Sequence, residues 1–220
     1  MQILVACEES QTVTIELRKN GHDAFSCDLQ KQSGGFPEWH IVGDCLPLLN
    51  GNCTLETEDG KTHEITGRWD MIIAHPPCTY LTITGNKWFK PEYKDRFPTR
   101  EKDREEAIAF FFEFVNADCD KIAIENPVGI MSTIYRRPDQ YVEPFEYGHN
   151  VKKKTCLWLK GLNPLTPTEI VEPEIVTFRS GKRMSKWYCD ASSLKPEERA
   201  KVRSKTFSGI AKAMAVQWTK

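Results

Sequence analysis

The chain has 220 residues, 40% of them hydrophobic and 28% charged, which supports one buried core of ordinary size and excludes wholesale disorder. No apolar run approaches the length of a membrane-crossing helix, and the start turns acidic at Glu8-Glu9 where an export signal would stay apolar. A cytoplasmic protein without membrane contact is expected. The net charge of -1 conceals an asymmetry, since residues 149–220 carry 15 Lys+Arg against 6 Asp+Glu and residues 1–148 carry 15 against 25. A basic C-terminal third has the form of a polyanion-binding face, and equally of a solvated surface.

Residues 3–7 form a short apolar run, followed by a polar turn at 8–11, a helix-length segment to Lys19 and a stop at Asn20-Gly21. Residues 24–27 read as a second strand ending at Asp28, which makes the opening a β-α-β unit of a parallel sheet. Residues 40–42 predict a third strand, closed by the acid Asp44. The Thr-rich stretch 53–66 around Asp59-Gly60 predicts an inserted β-hairpin with a type I′ turn. Residues 70–74 form a buried strand that runs into His75-Pro76-Pro77-Cys78, where two prolines forbid further pairing and set Cys78 on a stiff loop. Thr99 is positioned to cap a helix whose Ala107, Phe110, Phe111, Phe114 and Val115 repeat at helical spacing. A strand at 121–124 ends in Glu125-Asn126-Pro127, and another covers 155–159. Residues 163–193 are Pro-rich and read as irregular, and helices from Lys195 and over 208–218 close the chain.

In an open α/β sheet, ligands bind beyond the carboxyl ends of the strands. Pro76-Pro77-Cys78 and Glu125-Asn126 both follow strands and can face one crevice there. A thiol beside an acid suits attack on an electron-poor ring, with sulfur adding to carbon while the acid manages a ring-nitrogen proton. A buried structural thiol after a proline turn fits Cys78 as well. His75 is the basic group near enough in sequence to lower the thiol's pKa. The eight cysteines contain no CxxC pair and the five histidines no HxH or HxxxH spacing, so neither a disulfide frame nor a metal site is expected. Arg179, Lys182, Arg183 and Lys186, interleaved with Trp187 and Tyr188, have the composition of phosphate contacts with a stacking ring, or of a solvated loop.

The order of these parts resembles the DNA cytosine-5 methyltransferases, especially small phage or prophage members. Pro76-Pro77-Cys78 resembles the family's catalytic loop and Glu125-Asn126 its second catalytic motif, with Pro127 where valine is usual. Lys152-Lys153-Lys154 sits where the family carries a basic Gln-Arg-x-Arg segment. Residues 194–200 and 208–215 resemble its two closing motifs, the last of which completes the cofactor pocket. The resemblance implies a Rossmann-like class I S-adenosyl-L-methionine-dependent methyltransferase fold, mostly parallel, acting on DNA without a metal. It implies that Cys78 adds to C6 of the pyrimidine, with Glu125, Asn126, Lys152 and Lys154 completing the catalytic set. Cys7, Glu8, Glu9, Ser10, Asp28, Asp44 and Pro76 would hold the cofactor, Asp28 at the ribose hydroxyls and Asp44 at the adenine amine.

The chain departs from that family in three places. Residues 7–12 contain no glycine where the family's first motif is glycine-rich, so Glu9 is expected to meet the methionine ammonium instead. Ile210 replaces the usual Asn of the last motif, and only residues 163–193 lie where the family places a much longer recognition domain. The expected organisation is a catalytic domain at 1–162, a small basic recognition segment at 163–193, and helices at 194–220 that return to the catalytic domain. The short segment leaves room for a protein partner in recognition, for a free pyrimidine nucleotide as substrate or for a transferred group other than methyl, and the missing glycines leave room for a non-catalytic DNA-binding protein that retains the fold.

Overall fold

The period-2 pattern of the first strand explains the layering. In β1 (Gln2–Ala6), Ile3 and Val5 enter one apolar cluster while Leu4 and Ala6 enter another, on the opposite face of the sheet. The computed structural model describes all 220 residues and contains, in chain order, α1 (Thr12–Lys19), β2 (Asp23–Asp28), β3 (His40–Val42), β4 (Cys53–Glu56), β5 (Thr62–Ile65) and β6 (Met71–Ala74). There follow α2 (Arg100–Asn116), β7 (Ile122–Pro127), α3 (Met131–Ile134), β8 (Gln140–Val142) and β9 (Thr155–Lys160). The remainder is β10 (Ile175–Thr177), β11 (Arg183–Ser185), α4 (Lys186–Ser192), α5 (Pro196–Ser204) and α6 (Ser208–Gln217).

Seven strands form the central sheet in the order β3-β2-β1-β6-β7-β9-β8. The pairs from β3 to β7 are parallel, and β9 runs antiparallel to both β7 and β8. This reversed strand, inserted next to the edge of a doubly wound parallel sheet, gives the Rossmann-like class I methyltransferase fold. On one face α1 and α6 pack together over Val13, Leu17, Ile210 and Met214. On the other, α2 buries Phe111 and Phe114 in the cluster that holds Trp158, with the Phe111 and Trp158 rings edge-on at 5.2 Å. Helix α6 approaches so closely that a Cβ on Gly209 would overlap the Tyr147 carbonyl. No helix is long and apolar enough to cross a membrane.

Three local expectations are corrected. The β4–β5 hairpin forms, but its turn is not type I′, because of its central pair only Gly60 has positive φ (81°). The Asp59 carboxylate accepts from Thr57 Oγ1 at 2.7 Å and from the Lys61 amide at 3.3 Å, and Asp59 itself keeps a negative φ. Glu125 and Asn126 do not follow the fifth sheet strand but lie within it, opposite Leu157 and Cys156, because β9 extends the pairing beyond the end of β6. The segment 163–193 is not irregular throughout: β10 and β11 pair antiparallel and lead directly into α4.

Candidate active site

The strand order reverses between β1 and β6, so the carboxyl ends of these two strands flank a crevice. On the β1 side stands the turn 7–11. It has no glycine, yet Cys7 and Gln11 adopt left-handed φ values of 59° and 55°, each at a cost of about 1–3 kcal/mol. Hydrogen bonds fix both. The Cys7 amide donates to the Cys27 carbonyl at 2.7 Å, and the buried Gln11 amide group bonds Phe36 through both its oxygen and its nitrogen. Gly34 covers the turn at a distance where a Cβ would stand 2.7 Å from Gln11 atoms.

The four turn residues expected at a cofactor have different surroundings. Both Glu8 oxygens are already engaged by α1, accepting from the Val13 amide at 2.6 Å, the Thr14 amide at 3.2 Å and Thr14 Oγ1 at 2.7 Å. Glu8 thus acts as the N-terminal cap of α1. Glu9 is different, because its buried Oε2 meets no polar atom of the chain. Ser10 Oγ lies 3.0 Å from Thr12 Oγ1, and the Cys7 side chain contacts the Cys45 thiol. Asp28 ends β2 half-buried, its Oδ1 accepting from the Gln30 amide at 2.9 Å. Burial raises the Asp28 pKa above the usual carboxylate value, and the neighbouring Glu9 charge adds to the rise. Asp44 is exposed and caps the short helical turn after it through the Leu46 amide at 3.0 Å.

On the other side of the crevice, β6 hands the chain to Pro76-Pro77-Cys78. This loop is tied to β7 and the segment after it: Asn126 Nδ2 donates to the Pro76 carbonyl at 2.7 Å, and the Ile130 amide donates to the Leu81 carbonyl at 2.9 Å. Gly129 permits that approach, since a Cβ there would overlap the Leu81 carbonyl. Cys78 is half-buried. Burial raises its pKa above the ordinary thiol value and the charge of Glu125 raises it further, while Lys153 and Arg203 pull it back.

Glu125 Oε2 lies 3.1 Å from His75 Nδ1, with the two side chains 18% and 8% exposed. Sequence position makes His75 a partner for Cys78, but the fold gives it to Glu125. Burial pushes the imidazole toward neutrality, yet the hydrogen bond and charge of Glu125, aided by Glu8 and opposed by Lys153, hold its pKa above the usual histidine value. Among the three consecutive lysines, the middle one turns inward. Lys153 Nζ donates to the Arg203 carbonyl at 2.8 Å and lies near the Trp187 and Phe207 rings. Burial lowers its pKa, against the pull of Glu125 and Cys78. Lys152 and Lys154 are exposed and flank the buried Glu143 carboxylate. Sequence reasoning missed Lys153, and no local signal separates it from its neighbours.

Arg179, Lys182 and Arg183 are exposed around the β10–β11 turn, beside the half-exposed Phe178. The Lys186 ammonium is held by Asp190 at 2.6 Å within α4, and Trp187 packs on Phe207 at 5.6 Å. The loop after Cys78 is stacked rather than open, with the Arg104 guanidinium 3.3 Å from the Phe89 ring centroid. No group of three or more His, Cys, Asp or Glu side chains is arranged to hold a metal ion.

No family model matches the chain, and no curated protein does. One solved structure that it resembles is an E. coli chain provisionally described as a DNA modification methyltransferase encoded within a prophage. The two share 14% identity at a TM-score of 0.45 over 78% of this chain and 52% of the other, so this chain spans about half the length of that structure.

Proposed function

We propose that this protein transfers a methyl group from S-adenosyl-L-methionine to C5 of cytosine in DNA, through a covalent bond between Cys78 Sγ and C6 of the base. The observation that carries the reading is the 2.7 Å hydrogen bond from Asn126 Nδ2 to the Pro76 carbonyl, which ties the loop carrying Cys78 to the strand carrying Glu125 beside the crevice. The groups around the crevice fit the cofactor. Glu9, with a buried oxygen free of protein partners, suits an ammonium, and Asp28 and Asp44 at the ends of β2 and β3 suit ribose hydroxyls and an adenine amine. When bound, the cofactor supplies an electrophilic methyl.

Cys78 loses its proton to water as Sγ bonds to C6, and Lys153 and Arg203 favour the thiolate that attacks. Glu125 hands a proton to N3, so the electron pair displaced from the C5–C6 bond is drawn toward the ring nitrogen and C5 becomes nucleophilic. Once C5 has gained the methyl, its proton passes to water, the electron pair re-forms the C5–C6 double bond and expels Cys78 Sγ, and the N3 proton returns to Glu125. In this reading Asn126 holds the Pro76 carbonyl, and with it the loop that carries the thiol. A duplex base must first leave its stack, which costs about a few kcal/mol. The basic hairpin β10–β11 has the width of a two-stranded ribbon that enters a major groove. Residues 163–193 act as the recognition segment and residues 194–220 close the catalytic domain.

The test is mass spectrometry after incubation with duplexes containing 5-fluorocytosine and cofactor. Wild type is expected to gain one oligonucleotide mass at Cys78, and Cys78→Ser none. The absence of an adduct across mixed-sequence duplexes refutes the reading. A second reading, C5 modification of a free pyrimidine nucleotide, is favoured by the small size of the β10–β11–α4 segment. Label transfer to dCMP but not to duplex would select it.

A further inference from the structure

His75 is a buried titratable group that the mechanism above leaves unused. It directly follows β6, which pairs with β1 on one side and β7 on the other, and its backbone amide donates to the Ala6 carbonyl at 2.9 Å. The ring is therefore fixed between the turn after β1 and the Glu125 carboxyl. Its Nδ1 is 3.1 Å from Glu125 Oε2, while its buried Nε2 meets no polar atom of the chain. The contact with Glu125 is thus the one side-chain hydrogen bond that orients the ring. Once Glu125 has given up its proton its carboxylate can only accept, so in that state the proton of this bond sits on Nδ1.

We propose that His75 is the positioning residue for Glu125: it fixes which carboxylate oxygen turns to the crevice, and its Nδ1–H stabilises the carboxylate left when Glu125 gives its proton to a ring nitrogen. The inference rests on the reading of Cys78 and Glu125 given above. The charged groups facing the imidazole are Glu125 from β7, Glu8 from the turn after β1 and Lys153 from the segment before β9. Burial and Lys153 oppose the protonated ring while Glu125 and Glu8 favour it, and the balance raises the His75 pKa above the usual histidine value. Because one Glu125 oxygen is occupied by Nδ1–H, the other is left to face a base. The arrangement resembles the orienting partner of a catalytic pair, in which a third group fixes the geometry of the one that moves the proton.

The test has two arms on the full chain. In the first, ¹⁵N-histidine NMR follows the His75 ring, assigned by the loss of its signals in His75→Asn. Its titration midpoint is expected above the ordinary histidine value in wild type and to fall in Glu125→Gln, where Glu8 alone opposes burial and Lys153. A midpoint that does not move overturns the proposal without reference to turnover. In the second arm, the rate of adduct formation with 5-fluorocytosine duplex is measured against pH. His75→Phe is expected to slow it about 10–100-fold, the loss found when an outer partner of a functional group is removed. His75→Asn, whose amide N–H can replace Nδ1–H, is expected to recover most of the rate while losing the limb of the pH profile set by the imidazole. A merely structural histidine would give two equally impaired variants with the wild-type profile, which overturns the proposal. Thermal unfolding checks that both variants are folded. A wild-type chain that forms no adduct while the titration still moves overturns the reading of the site, and only the His75–Glu125 pair survives.

Discussion

Glu8 offers the sharpest separation between a folding role and a cofactor role. Glu8→Ala removes an acceptor from two first-turn amides of α1 and from the Thr14 hydroxyl, all in a buried setting. Hydrogen bonds to a charged group contribute about 1.5–3 kcal/mol each, and a lost helix cap costs about 1 kcal/mol. The three bonds share one carboxylate whose burial is itself unfavourable, so they do not add, and a net loss of about 2–4 kcal/mol is expected. For a chain of this length that lowers Tm by roughly 5–15 °C. Glu8→Gln can serve one side of the carboxylate's partners but turns an N–H toward the other, so it is expected to fall between wild type and Ala.

The pH dependence has a definite sign. Burial raises the Glu8 pKa above the usual carboxylate value despite the opposing His75 charge and hydrogen bonds. Between the unfolded and folded values the native state therefore binds more protons, and stability falls as pH rises through that window. Glu8→Gln lacks this slope, so the advantage of wild type over it is largest below the window. Urea unfolding followed by circular dichroism measures both effects, and a double-mutant cycle with Thr14→Val isolates the hydroxyl contact. A Glu8→Ala chain within about 0.5 kcal/mol of wild type would refute the reasoning.

Three further outcomes follow from the geometry. Near neutral pH, iodoacetamide is expected to alkylate Cys78 more slowly than an exposed thiol; Glu125→Gln should speed the reaction and Lys153→Gln should slow it, and mass mapping that finds the opposite order contradicts the assigned electrostatics. Replacing Arg179, Lys182 and Arg183 by Ala is expected to reduce the slope of log affinity for duplex against log salt by about 0.9 for each phosphate no longer neutralised, with unchanged thermal stability. Lys186→Ala should alter the slope less, since Asp190 holds that ammonium. Phe111→Ala, at a fully buried position edge-on to Trp158, is expected to cost about 3–5 kcal/mol in urea unfolding.

Much of the sheet is legible along the chain because its cause is local. The runs at 3–7 and 71–74 are continuous and apolar since β1 and β6 are covered on both faces, and the prolines after His75 stop pairing wherever they occur. The edge strand β8 carries no such mark, as its three residues alternate Gln, Tyr and Val and pair only with β9. The aromatic stripe of α2 is readable as well, although only packing against distant residues, as of Phe111 on Trp158, decides that Phe111 and Phe114 are the residues fully enclosed.

The site divides in the same way. A thiol on a stiff loop and an acid near a strand end are visible in the order of residues, and so is a histidine before the prolines. Which of them meet is decided by register. β6 and β7 pair so that Ala74 lies opposite Ile124, and this brings His75 to Glu125, 50 residues away, and not to Cys78 three residues on. Likewise, three identical lysines carry the same intrinsic chemistry, but the middle one is turned inward, where its ammonium reaches the carbonyl of Arg203. Hydrophobic period and turn chemistry act over a few residues and so can be read from neighbours. The convergence of charged side chains depends on strand order and helix packing, which are settled only when distant segments close around a shared core.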